Sequence, residues 1–97
     1  MITKILKRDG REVPFNNEKI TNAIYKATIA AGEEDYEKAM ALAEKVVEKL
    51  HKDPNIQVPS VEDIQDIVER VLIEEGLTQT AKKYILYRAE RTRIREM

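Results

Sequence analysis

The sequence has no cysteine, one histidine and three glycines. The absence of cysteine removes disulfides, thiolate zinc sites and cysteine nucleophiles together, and is compatible with a reducing compartment. With glycine confined to Gly10, Gly32 and Gly76, there is no Walker A loop and no dinucleotide fingerprint, so a bound nucleotide would have to be held by side chains and helix ends. His51, near the polar end of a predicted helix, reads as a surface residue, and no nucleophile–histidine pair stands out. Asp63, Asp66 and Glu69 have no histidine partners and read as a solvated acidic face rather than a metal site. No apolar run approaches the roughly 20 residues that cross a bilayer. The opening MITKILKRDGREVPF alternates apolar and charged residues, unlike a signal peptide. Neither charge dominates: 17 basic against 18 acidic residues give a formal charge of −1, which does not favour adhesion to nucleic acid or anionic membrane. These absences predict a soluble cytoplasmic protein without chemistry of its own.

What is present is the pattern of one small domain. Its 97 residues suit one unit, 1–97, with a modest core. Residues 2–15 read as a hairpin, with Asp9-Gly10 at the turn and Pro14 marking an edge strand. Asn16 or Asn17 can cap a first helix over about 17–31, with Phe15 and Ile20 placed as a hydrophobic staple and Gly32 as its stop. A second helix over about 35–52 carries Tyr36, Ala39, Met40, Ala43, Val46, Val47 and Leu50 on one stripe, and Asp53-Pro54 ends it. Ile56 to Val58 reads as a short third strand. Ser60 and Asp63 form a capping-box pattern for a third helix over about 60–75, stopped near Gly76. Thr78 can cap the fourth, over about 78–95, which places Leu77, Ala81, Tyr84 and Ile85 inward and ends in arginines. The predicted fold is α+β and predominantly helical: a hairpin or small three-stranded sheet covering a four-helix bundle.

Three groups of cations could meet an anion. Lys7, Arg8 and Arg11 surround the hairpin turn, where they could present charge to a polyphosphate or merely keep the edge from pairing with another chain. Lys19 sits in the first turn of helix one, against the helix dipole, where a bound anion would compensate it. Arg88, Arg91 and Arg95 follow Tyr84 on one face of the last helix, where they also complement the dipole at its C-terminus. Tyr84 and Tyr87 could stack on a base, although aromatic residues at this spacing more often fill a core.

Taken in order, Lys7-Arg8-Asp9-Gly10-Arg11, Val13-Pro14-Phe15-Asn16, Lys19-Ile20, Ala23-Ile24, the run Val61 to Glu69 and the run Ala81 to Arg88 resemble an ATP-cone, the domain found at the front of ribonucleotide reductases. The resemblance covers essentially the whole chain. It implies a small sheet over four helices with ATP or dATP, accompanied by Mg2+, bound between them. It also implies a regulatory role: reporting adenine-nucleotide status to a reductase catalytic domain in cis or in trans, with ATP permitting activity and dATP suppressing it, often through nucleotide-dependent self-association. By the same resemblance Lys7 and Arg8 would meet phosphates. Val13, Pro14, Phe15, Asn16, Lys19 and Ile20 would line the nucleotide, and Lys19 would be a phosphate or ribose contact. Val61 and Gln65 stand where some relatives offer a threonine and a histidine, and the late cation is Arg88 or Arg91, taken as a group. Two other expectations compete: a degenerate cone serving as a helical interaction module, and the cone of a reductase-gene repressor. The repressor family carries a cysteine-bound zinc ribbon, for which this sequence has no cysteine.

Overall fold

The computed structural model describes residues 2–96, without the side chains of residues 95 and 96. Strand β1 (Lys4–Leu6) and strand β2 (Glu12–Pro14) pair antiparallel, with Ile5 opposite Val13. Gly10 takes φ 89° at the turn, and the turn closes through Lys7 N–H to the Arg11 carbonyl at 2.8 Å and Gly10 N–H to the Lys7 carbonyl at 3.0 Å.

Helix α1 (Asn17–Ala30) starts at Asn16, whose side chain accepts from the Glu18 N–H, so the cap is Asn16 and not Asn17. Gly32, at φ 85°, ends it, and the Glu33 N–H returns to the Thr28 carbonyl at 2.8 Å. Helix α2 (Tyr36–Lys52) is capped by Asp35. Helix α3 (Val61–Glu74) has both arms of the capping box: Ser60 Oγ accepts from the Asp63 N–H, and the Asp63 carboxylate accepts from the Ser60 N–H. Helix α4 runs Thr78–Glu96.

The helices pack in a closed cycle, α1 on α2, α2 on α3, α3 on α4 and α4 back on α1. Ile24, Leu50, Leu72, Val46, Val68 and Val71 fill its interior, and each such side chain contributes about 1.5–3 kcal/mol by leaving water. Ile2 is buried against the same core, which ties the hairpin to the bundle. Thr28 tolerates burial because its hydroxyl donates to the Tyr25 carbonyl at 2.7 Å.

The fold is α+β and predominantly helical, with four details that differ from the sequence reading. Residues 56–58 form no strand, so the sheet has two strands rather than three. The chain instead reaches the hairpin just after this segment, through one parallel bridge, Leu6 with Ser60, where the Leu6 N–H donates to the Pro59 carbonyl at 2.9 Å. Thr78 lies inside α4 and does not cap it; the Leu77 carbonyl accepts the Ala81 N–H at that end. Tyr36 and Met40, placed on the inward stripe of α2, are exposed, and Leu42 is buried in their stead. Ile85 is likewise exposed on α4. Arg95, expected on the basic stripe, has its side chain outside the described residues.

Candidate functional site

Between the hairpin and the helices lies a cavity of about 400 Å³, within the ~300–1,000 Å³ usual for ligand sites. Ile5, Lys7 and Pro14 line it from the hairpin, and Phe15 and Asn16 from the connection to α1. Three helices each turn one stripe toward it: Lys19, Asn22, Ala23 and Lys26 on α1, Val61, Ile64, Gln65 and Val68 on α3, and Tyr84, Tyr87 and Arg91 on α4. Spacings of three, four and seven residues put each set on one helical face.

Charge is distributed unevenly around this space. Lys7, Lys19, Lys26 and Arg91 line it, and the lining contains no aspartate or glutamate. Among the described residues, none of these four cations has a carboxylate within ion-pair distance, whereas Lys4, Arg8, Arg11, Lys38, Lys45, Lys49, Lys52 and Arg88 all do. A chain of net charge −1 thus gathers four unpaired cations at one cavity, while Arg70, Lys82, Lys83 and Arg93, which also lack an ion-pair partner among the described residues, lie outside its lining. Such a site attracts anions, with Lys7 half-buried and Lys19, Lys26 and Arg91 exposed to solvent.

The apolar and polar parts of the wall are equally defined. Tyr84 is buried, and burial pushes its hydroxyl well above the ordinary tyrosine range despite the opposing attraction of Arg88. The Tyr84 and Tyr87 ring centroids lie 6.5 Å apart, and Lys26 Nζ stands 5.9 Å from the Tyr87 centroid. Gln65 Oε1 is buried with no hydrogen-bond partner among the described residues. An acceptor left unpaired in this way costs about 1–3 kcal/mol, so a ligand donor that reached it would find it unanswered.

Of the residues singled out from the sequence, Lys7, Pro14, Phe15, Asn16, Lys19, Ile20, Gln65 and Arg91 meet at this cavity. Val13 stands behind the lining, paired with Ile5. Arg8 is turned to Glu62 and Thr92. Arg88 donates to Asp66 at 2.7 Å and Glu69 at 2.9 Å. Burial alone would weaken the Arg88 charge, but hydrogen bonds and attraction from these two carboxylates outweigh it and hold its pKa above the usual value. Arg11 is answered locally by Asp9, whose carboxylate accepts from the Arg11 backbone and guanidinium and is held below the usual carboxylate range by them. Asn22 and Lys26 escaped the sequence reading. Their signal was available, since Lys26 lies two helical turns after Lys19 on the same face.

No group of three or more histidine, cysteine or carboxylate side chains is arranged for a metal among the described residues. None of the described helices is long and apolar enough to cross a membrane.

A family model described as the ATP cone domain matches residues 3–93. The chain is 48% identical over 101 residues to a vitamin B12-dependent ribonucleoside-diphosphate reductase of Thermoplasma acidophilum, an alignment covering 99% of this chain and 13% of that protein. It is 35% identical over 96 residues to an anaerobic ribonucleoside-triphosphate reductase of Salmonella typhimurium, with 99% and 13% covered. It is 40% identical over 97 residues to a ribonucleoside-diphosphate reductase subunit alpha of Chlamydia pneumoniae, with 90% and 9% covered. The chain thus spans about an eighth or less of the length of these curated relatives. With the match of the family model across nearly its whole length, the chain belongs to the ATP-cone family of regulatory nucleotide-binding domains.

Proposed function

We propose that the cavity binds an adenine nucleoside triphosphate, ATP or dATP, and that its occupancy regulates a ribonucleotide reductase joined to this domain in cis or in trans. One observation carries the reading: four cations and no carboxylate line a cavity of ligand size in a chain whose overall formal charge is −1. The polyphosphate is assigned to Lys7, Lys19, Lys26 and Arg91, where charge-assisted hydrogen bonds are the strongest contacts available. The nucleoside is assigned to the apolar wall of Ile5, Ile20 and Val68, to the tyrosines, and to the amides of Asn16, Asn22 and Gln65. Val13 supports this wall by fixing the register of Ile5. Mg2+ arriving with the triphosphate would be held by phosphate oxygens and water, because the lining offers no carboxylate.

Regulation requires the ligand to favour one of two arrangements. The hairpin tip is the part suited to differ between them: Ile2, Ile5 and Phe15 anchor the base of the hairpin on the core, whereas Arg8 at the turn meets α3 and α4 through exposed polar contacts. ATP and dATP differ by one hydroxyl, so sensing requires that hydroxyl to bias the two arrangements differently, and nucleotide-dependent self-association would be one readout. The working compartment assigned by this reading is the cytoplasm.

Calorimetric titration of the 97-residue chain with ATP, dATP and GTP in the presence of Mg2+ tests the reading. The expected result is binding of both adenine nucleotides, lost on combining Lys7→Gln with Lys19→Gln. Silence from wild type at millimolar nucleotide, or full binding by the double variant, would reject it. Sedimentation with each nucleotide tests self-association separately.

A further inference from the structure

A polar clasp lies just outside the cavity. Arg8 Nε donates to Glu62 Oε1 at 2.5 Å, and Arg8 Nη2 donates to Thr92 Oγ1 at 2.9 Å, so one guanidinium joins the hairpin to α3 and α4. Each of the three residues immediately follows a lining residue: Lys7, Val61 and Arg91. The clasp therefore traces the rim where the three elements meet.

Resting on the nucleotide reading above, we propose that Glu62 is a positioning residue that sets ligand affinity by competing with the polyphosphate for Arg8. The Arg8 and Glu62 side chains are 34% and 39% exposed, and an ion pair so open to water is weak and exchanges readily. A triphosphate held beside Lys7 carries several negative charges and is the stronger acceptor for the guanidinium fork. Glu62 gives Arg8 up at little cost, because it sits in the first turn of α3, where the helix dipole favours negative charge. Thr92 offers a neutral acceptor and yields more easily still. Without ligand, the clasp satisfies Arg8 and pins the hairpin tip to α3 and α4. With ligand, Arg8 turns to phosphate and that pin is released, which connects occupancy to hairpin position.

The test is a double-mutant cycle read by calorimetry with Mg2+–ATP on wild type, Glu62→Gln, Arg8→Ala and the combined variant, each checked for an unchanged circular dichroism spectrum. Glu62→Gln should tighten binding by up to about fivefold, the equivalent of a partly exposed ion pair. The tightening should vanish in the Arg8→Ala background. Glu62→Asp, which keeps the charge but shortens the reach, should tighten binding as well. Equal tightening with and without Arg8, or none from Glu62→Asp, would mean that Glu62 acts only through its field and would overturn the proposal. Absence of binding by wild type would overturn the nucleotide reading itself, an outcome distinct from binding without coupling.

Discussion

The ammonium of Lys26 on α1 stands 5.9 Å from the centroid of the Tyr87 ring on α4, so a cation–π contact joins the first and last helices across the wall of the cavity. Both residues line it. The contact holds Lys26 in place while leaving its charge without a carboxylate among the described residues.

Lys26→Met keeps the aliphatic stem and removes that charge. Stability should fall by less than about 1 kcal/mol, the value of an exposed cation–π contact. Nucleotide affinity should fall about tenfold, as expected for a hydrogen bond to a charged group, and its dependence on salt should become shallower. Titrations at two salt concentrations check this. Unchanged affinity would remove Lys26 from the phosphate site.

Ser60 supports the site from below, because its capping box starts α3 and its backbone bridges to Leu6. Ser60→Ala should cost about 1 kcal/mol, measured as a lower urea midpoint with the same slope. Hydrogen exchange should report the loss at the start of α3, whereas a uniform change along the chain would contradict the capping explanation.

Local signals such as this one were legible in the sequence because partners three residues apart meet in any helix. The Asn16 cap, the Gly32 stop and the inward stripes of α3 follow from the same short-range geometry. What could not be read was the fate of the arginines. Arg8 finds Glu62 across 54 residues, and Arg88 finds Asp66 across 22, and only tertiary packing decides that these cations are answered while Arg91 and Lys26 are not. The third strand expected over Ile56 to Val58 is absent because contact with the hairpin comes later along the chain, at the Pro59 carbonyl and Ser60, where Pro59 has no N–H to extend the pairing backwards.

Gly32 holds φ 85°, and a Cβ placed there would meet nothing within 4 Å. The cost of Gly32→Ala is therefore purely conformational, about 1–2 kcal/mol. Gly32→Asn should recover part of it, because asparagine visits the left-handed region more readily. Thermal melts of the two variants check the order, and equal losses would point to packing rather than backbone.

Tyr84 gives an alkaline dependence with a definite sign. Burial raises its folded pKa above the unfolded value of 10.0, so the folded state holds the proton more tightly. The contribution to stability is complete below about pH 10 and declines above it, by up to about 1.4 kcal/mol per pH unit for one proton. Tyr84→Phe should remove that component while lysine deprotonation continues to act in both proteins. The difference between wild-type and variant stability, followed from pH 9 to 11 by urea denaturation, should therefore acquire a slope only above about pH 10.

Arg88 and Arg91 separate structural from binding roles on one helix. Arg88 spans α4 to α3 through Asp66 and Glu69 and lies outside the cavity lining, whereas Arg91 lines it without a carboxylate partner among the described residues. Arg88→Gln should cost about 1–2 kcal/mol, since it breaks one exposed charged hydrogen bond, to Asp66, and one partly buried one, to Glu69, and should leave nucleotide affinity within about twofold, the small change expected of a group outside the contact surface. Arg91→Gln should do the reverse: stability within about 0.5 kcal/mol of wild type and affinity lower by about tenfold. Denaturation and titration of both variants decide it. If Arg88→Gln lost the greater affinity, the guanidinium that meets phosphate would be the one now held by α3, and the ligand would have to draw Arg88 away from both carboxylates.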